Sequence, residues 1–151
     1  MPIDPAAVDV PWRQIVTELP DALVYADQDG VIRAWNAGAE ALFGFSAAQA
    51  LGHSLDLIIP ERLRPAHWLG YRRAMARGAT SHGAEVRTTR GVHADGRKLY
   101  VDMSFGVVRA DDGRVLGSVA LARDATARQR AAAAVAAPAA TPAAPPTPPS
   151  A

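Results

Sequence analysis

Three turn signals constrain this chain more than any other feature. Asp27-Gln28-Asp29-Gly30, His93-Ala94-Asp95-Gly96 and Asp111-Asp112-Gly113 each end in glycine, and each lies between β-rich runs. The first joins Ala22 to Ala26 (ALVYA) to Val31 to Trp35 (VIRAW), which alternates as a strand does, so the two predict a hairpin. The other two separate strand candidates at Ala84 to Arg90, Lys98 to Val108 and Val115 to Asp124. Strands joined by such short turns pair antiparallel, because a parallel pair needs a long crossover.

Helical signals fill the remainder. Trp12, Ile15, Val16 and Leu19 have helical spacing between Pro11 and Leu19, and Pro20-Asp21 ends that segment. Asn36 is a suitable N-cap for Ala37 to Phe43, with Ala41 and Leu42 expected to point inward and Gly44 as the stop. Ser46 caps a second short helix, Ala47 to Leu51, stopped by Gly52, and Pro60 closes the apolar run Leu55 to Ile59. A further helix opens just after Pro65, carries His67 and runs to about Arg77, where Gly78 stops it. Ala125 to about Val135 is an alanine-rich exit helix. The order β-β, short helices, β-β-β predicts an α+β domain, with one antiparallel sheet covered on one face by helices.

A length of 151 residues suits one domain with a real core. From Ala131 the chain holds alanine, proline and threonine with almost no large apolar side chains, which predicts a disordered or polyproline-like tail. The expected division is an N-terminal extension over 1–10, a folded domain over 11–130 and the tail over 131–151. A net charge of +1, with basic residues dispersed and no interleaved aromatics, gives no case for nucleic acid. Zero cysteines exclude disulfides, thiolate zinc sites and thiol-based flavin photochemistry. No secretory signal and no run of about 20 apolar residues is present, so a cytoplasmic protein without membrane contact is expected. No nucleophile–base pair, glycine-rich phosphate loop or paired carboxylates argue for an enzyme.

The segment Arg64-Pro65-Ala66-His67-Trp68-Leu69-Gly70-Tyr71 carries the chemistry. A neutral imidazole binds transition metals, and with no cysteine any haem iron would be held by histidine or methionine. His53 and His93 sit in turn-like segments and receive no role.

The order of elements, with its residues, resembles a PAS domain. The signs are Asp29-Gly30 before Val31-Ile32-Arg33-Ala34-Trp35-Asn36, then Ala39-Glu40-Ala41-Leu42-Phe43-Gly44-Phe45, Gly52 and Leu57-Ile58-Ile59-Pro60. Asp95-Gly96-Arg97 before a long strand and Ala122-Arg123-Asp124-Ala125-Thr126 complete them, so the resemblance covers about residues 12–130. It implies a five-stranded antiparallel sheet flanked by an N-terminal helix and a C-terminal exit helix. The stretch Ile58 to His67 further resembles the haem-binding PAS domains of the rhizobial oxygen sensor kinases (FixL-type) and of the direct oxygen sensor phosphodiesterases.

That resemblance implies haem b as cofactor and His67 as the proximal iron ligand. Arg87, twenty residues later and eight before Asp95, matches an arginine that contacts the bound gas in the rhizobial sensors. Leu63, Gly70, Tyr71 and Ala74 share the face of His67 at helical spacing, an apolar, small-residue face suited to a flat macrocycle. Arg73 corresponds to a propionate-pairing arginine, and His82 lies one residue from another such position. Met103 and Phe105 would line the distal side, with Val119 and Leu121 from the last strand nearby. Met103 reads as core packing, with a sixth-ligand role left open. The methionine that serves as sixth ligand in the phosphodiesterase sensors has no counterpart, because Glu85 stands near that position.

The reading is a haem-based gas sensor, for oxygen first and for carbon monoxide or nitric oxide as alternatives. Two rivals stand beside it: a haem-free PAS interaction and dimerisation module, and a flavin-binding redox PAS. A homodimer is an expected partner state. No kinase, cyclase, phosphodiesterase or DNA-binding sequence follows the domain, so either a kinase or other effector acts in trans or the chain is a store or scavenger of haem or gas.

Overall fold

A computed structural model describes residues 9–139. Helix α1 (Trp12–Glu18) leads into strands β1 (Ala22–Asp27) and β2 (Ile32–Trp35), then helices α2 (Ala37–Phe43) and α3 (Ala47–Ala50). Two 3-10 turns, Leu55–Leu57 and Glu61–Leu63, precede α4 (Arg64–Arg77). Strands β3 (Arg87–Val92), β4 (Lys98–Arg109) and β5 (Val115–Asp124) follow, and α5 (Thr126–Ala136) closes the described chain. The α+β expectation holds. The five strands form one antiparallel sheet in the order β2-β1-β5-β4-β3.

Three hairpins (β1–β2, β3–β4 and β4–β5) and one long-range pairing build that order. β1 pairs with β5 from Ala22↔Ala122 to Asp27↔Gly117, bringing the two ends of the domain together at the centre of the sheet. The inner face of this centre is built from small side chains: Ala22, Val24 and Ala26 on β1, Ala120 and Ala122 on β5. Phe43, Ile32, Leu99 and Val101 are the largest fully buried residues. Phe43 rests 5.5 Å from the Trp35 ring, seating α2 on the sheet.

Asn36 joins the first elements. It is 4% exposed, and its Oδ1 accepts from Ala39 N at 2.9 Å, capping α2, and from Leu23 N at 2.8 Å. Its Nδ2 donates toward the carbonyls of Asp21, Val16 and Leu19 at 2.9, 3.1 and 3.2 Å. One amide thus caps a helix, meets β1 and fixes the end of α1. On α2 Ala39 and Phe43 are buried and the half-buried Leu42 packs against the core, as expected; Ala41 is exposed, a correction, because two residues on from Ala39 is the far side of a 3.6-residue helix. The cap orients α2 so that Gly38 lies against the Asp21 carbonyl.

Helix α4 is attached differently. Tyr71 is its one buried residue. Arg64 donates to the carbonyls of Ile59 and Asp56 at 3.2 and 3.1 Å, and Trp68 Nε1 to Asp56 Oδ1 at 2.8 Å. The Tyr71 hydroxyl reaches the Asp27 carbonyl at 2.5 Å, and Arg109 donates to the carbonyl of Gly78, whose φ of 70° ends the helix in the left-handed region. The Trp68 indole also lies where a side chain at Gly30 would be, 2.2 Å from an added Cβ, so the tight turn after β1 needs glycine twice over. Polar anchors at both ends and one tyrosine in the middle therefore hold α4 over the sheet.

Two boundaries differ from the sequence reading. β3 begins at Arg87 rather than Ala84, because residues 81–86 form an exposed turn-rich segment tied by Thr80 Oγ1 to the Gly83 carbonyl. The exit helix reaches Ala136, so the first residues assigned to the tail are helical, as alanine's high propensity favours; residues 140–151 and 1–8 lie outside the described residues.

Candidate functional site

A cavity of about 440 Å³ lies between α4 and the inner face of the sheet, within the range of small-molecule and cofactor sites. It exists because α4 is held by its anchors while the sheet beneath it presents small residues. Val24, Ala26, Ser118, Ala120, Val101 and Met103 form the sheet side; Leu63, Ala66, His67, Gly70, Tyr71 and Ala74 form the helix side. Phe43, Leu55 and Ile58 close one end, and Thr80 to His82, Glu85 and Arg87 border the exposed rim. The wall is mostly apolar. A side chain at Gly70 would meet nothing within 4 Å, so this position leaves the helix flat toward open space.

The structure brings together His67, Arg87, Leu63, Gly70, Tyr71, Ala74, Met103 and Phe105 around this one cavity. His67 and Gly70 follow from helical spacing and Met103 and Phe105 from strand alternation, so both periodicities were legible. Arg87 stands opposite Met103 in the β3–β4 register, which puts both on the same face of the sheet. The Arg87 side chain is exposed, with Nη1 against His82 Nε2 on the rim.

Three expected members fall elsewhere. Val119 and Leu121 are not on the cavity wall; Leu121 is 38% exposed on the outer face, and Ser118 and Ala120 occupy the wall in their place. The parity of β5 is set by its pairing with β1, which faces Ala26 with Ser118 and Val24 with Ala120. Ranking by hydrophobicity puts Leu and Val inside; the pairing puts the small residues there. Arg73 is exposed and off the wall, because six residues from His67 is the far side of a 3.6-residue helix. Sequence reasoning also passed over Asp56 and Trp68, whose link needs the 3-10 turn and α4 to be folded together before it exists.

The electrostatics of the helix side centre on His67. Burial pushes its pKa below the ordinary histidine value, opposed by the Asp56 carboxylate, so the imidazole is neutral at pH 7. Nδ1 is buried and has no hydrogen-bond partner, and among the described residues it is the buried side-chain polar atom left so. The ring packs edge-on to Trp68 at 4.8 Å and tilted to Tyr71 at 5.8 Å. Burial raises the pKa of Tyr71, which keeps its hydroxyl as a donor to the β1 carbonyls, with Ser118 Oγ 3.4 Å away. Among the described residues no cluster of three or more His, Asp or Glu could hold a bare metal ion, and no helix is long and apolar enough to cross a membrane.

Comparisons with known proteins agree with this architecture. The sensor protein FixL of Bradyrhizobium diazoefficiens is 36% identical over 55 residues, covering 36% of this chain and 11% of that protein. The oxygen sensor protein DosP of Escherichia coli is 28% identical over 123 residues, covering 82% of this chain and 15% of that protein. The chain thus spans a small part of the length of these curated relatives. Among solved structures, a PAS domain from Colwellia psychrerythraea superposes with a TM-score of 0.68 at 23% identity, over 78% of this chain and 96% of that one. An RNA-binding light-oxygen-voltage receptor shares the fold, with a TM-score of 0.70 at 21% identity over 91% of this chain and 41% of that one. A sequence model described as the PAS fold matches residues 16–130, and by that match and the sheet order above this chain belongs to the PAS fold family.

Proposed function

We propose that this domain holds haem b in the cavity under α4 through His67 and senses a diatomic gas, oxygen foremost, without a catalytic step of its own. The observation that carries the reading is His67 itself: an imidazole kept neutral by burial, on the wall of an apolar cavity, with Nδ1 enclosed and unpartnered. With Nδ1 enclosed, Nε2 is the ring nitrogen a cavity ligand can reach. The residues present fit a flat macrocycle: Gly70 and Ala74 keep the helix side low, Ala120 and Ser118 do the same on the sheet, and His82 on the rim is available to a carboxylate edge.

Haem supplies an iron that binds diatomic gases reversibly when its distal surroundings allow access. The protein residues supply the rest. Val101, Met103 and Phe105 exclude water from the sheet side, and Arg87 at the rim offers N–H donors. Such donors favour a gas that gathers negative charge on binding, so oxygen and nitric oxide gain more than carbon monoxide. A flavin is the weaker occupant, because among the described residues the wall has no asparagine, glutamine or cysteine side chain to meet its polar ring edge. Exposed Trp12 and Ile15 on α1 and Leu121 on the outer sheet face favour self-association beside gas binding, with an effector acting in trans.

Haemin titration of the purified chain tests the reading. A saturable Soret band at one haem per chain is expected; a protein that stays colourless overturns it. In the loaded protein, Arg87→Ala should speed oxygen dissociation by about tenfold and carbon monoxide dissociation by less than about threefold, the loss of one charge-assisted hydrogen bond. Stopped-flow ligand exchange measures both rates, and equal effects on the two gases would remove Arg87 from gas selection.

A further inference from the structure

Helix α1 leaves its apolar side short of a partner. None of its residues is buried, its N-cap Pro11 makes no side-chain capping bond, and Asn36 holds its end through the carbonyls of Val16 and Leu19. Between α1, β2 and the end of α3 lies a groove of about 410 Å³, walled by Trp12, Val16, Trp35 and Leu51 with Arg13 and Arg33 beside them. Trp35 is buried and its indole N–H donates to the Phe45 carbonyl at 2.9 Å, whereas Trp12 is 51% exposed and Leu51 43%. The groove therefore offers one open aromatic face, an aliphatic flank and guanidinium donors, and among the described residues no acidic side chain lines it. A helix of 7 residues is marginal on its own, so what fills this groove steadies α1.

A segment of this chain has the matching chemistry. Pro142, Pro145 and Pro148 recur at every third residue, and Pro146 and Pro149 repeat the interval. A polyproline II helix has three residues per turn, so such an interval lines prolines along one edge, and its carbonyls, free of internal hydrogen bonds, need outside donors. Grooves lined by aromatic side chains take segments of this kind. Over residues 138–150 no side chain is charged, so Arg13 and Arg33 meet no like charge there. The reach is sufficient as well. Arg123 pairs with Asp21 at 2.7 Å, which sets the start of α5 beside the end of α1. A path back along the 11 residues of α5 and out along the 7 of α1 is about 27 Å at about 1.5 Å per residue. Residues 137–148 span about 37 Å at about 3.1 Å per residue.

We propose that residues 142–149 bind this groove as a polyproline II ligand, with Pro145 and Pro148 stacked on the Trp12 indole and the carbonyls between them accepting from Arg13. So seated, the segment is a strap that holds α1 against β2. Ile15, off this wall and 45% exposed, stays available for self-association. Neither the groove nor the segment shares a residue with the cavity under α4, so the strap stands whether or not haem fills that cavity.

A spin label on the segment tests this in the full chain by nuclear magnetic resonance. The chain has no cysteine, so Ser150→Cys supplies a single thiol for a nitroxide. The label should erase the Trp12 indole N–H and Leu51 methyl signals and spare the amides of β3, which lies at the opposite edge of the sheet from β2. Equal broadening at the two edges, or none at Trp12, overturns the docking. Replacing Pro142, Pro145 and Pro148 by alanine should return both signals, and Trp12→Ala should return those of Leu51; signals that stay erased in either variant overturn it too. In the triple alanine variant, amide exchange over Trp12–Glu18 should speed by about threefold, as a helix that loses a support does. Unchanged exchange there removes the strap. Mixing spin-labelled chains with isotope-labelled chains that carry no nitroxide identifies the source of the segment. Intact Trp12 signals in the mixture support docking within one chain, and broadening there hands the groove to a second copy and overturns the strap.

Discussion

His67→Ala is expected to abolish the Soret band and weaken haemin uptake by at least about 100-fold, more than the 10- to 100-fold that loss of an outer-shell partner costs a metal site. The same substitution should leave the empty protein as stable as before or raise its stability by about 1 kcal/mol. Alanine is the better helix former, and the change removes a buried ring nitrogen that has no partner. Uptake separates a ligand from a core residue: a histidine that merely packs against Trp68 and Tyr71 would, on truncation, spare haemin uptake. Haemin titration and urea denaturation of the two proteins in parallel read both quantities, and destabilisation with unchanged uptake would falsify the proximal assignment.

The largest effect on stability is expected at Asn36. Asn36→Ala deletes the cap of α2 and the hydrogen bond to Leu23, and it strips carbonyls of Asp21, Val16 and Leu19 of their donor, all in a site 4% exposed. A lost cap costs about 1 kcal/mol and each stranded buried group about 1–3 kcal/mol, so the variant should lose about 3–5 kcal/mol. Asn36→Asp keeps the two acceptor contacts and loses the donors, so it should recover part of the cap and little of the rest. Equilibrium urea unfolding measures both. A loss below about 1 kcal/mol in Asn36→Ala would mean that water takes over these partners and that the amide is not the joint between α1, β1 and α2.

Val119 and Leu121 mark where local sequence patterns stop specifying the fold. Local patterns were readable wherever the physics is local: Asn36 and Ser46 as caps, Gly44 and Gly78 as stops, and the hairpin around Asp27 to Gly30. The parity of β5 is not local. It is set by the pairing of Ala22 with Ala122 across the whole domain, and it places the larger residues outside and the smaller ones beneath α4. Average hydrophobicity points the other way because it assumes that inner faces are filled, and here the inner face borders a cavity. Arg87 and His67 could be read by spacing; the Asp56–Trp68 and Asp102–Arg128 links could not, since each joins elements whose approach depends on the finished sheet.

The way α4 is attached has a wider consequence. Because Arg64, Trp68, Tyr71 and Arg109 fix the helix, the positions at Leu63, Ala66, Gly70 and Ala74 carry almost none of the folding load. Substitution there can reshape the chamber while the scaffold stays intact, so the two traits can drift separately. A lineage built on such a frame can exchange one cargo for another by a few steps along a single helix, without passing through an unfolded ancestor.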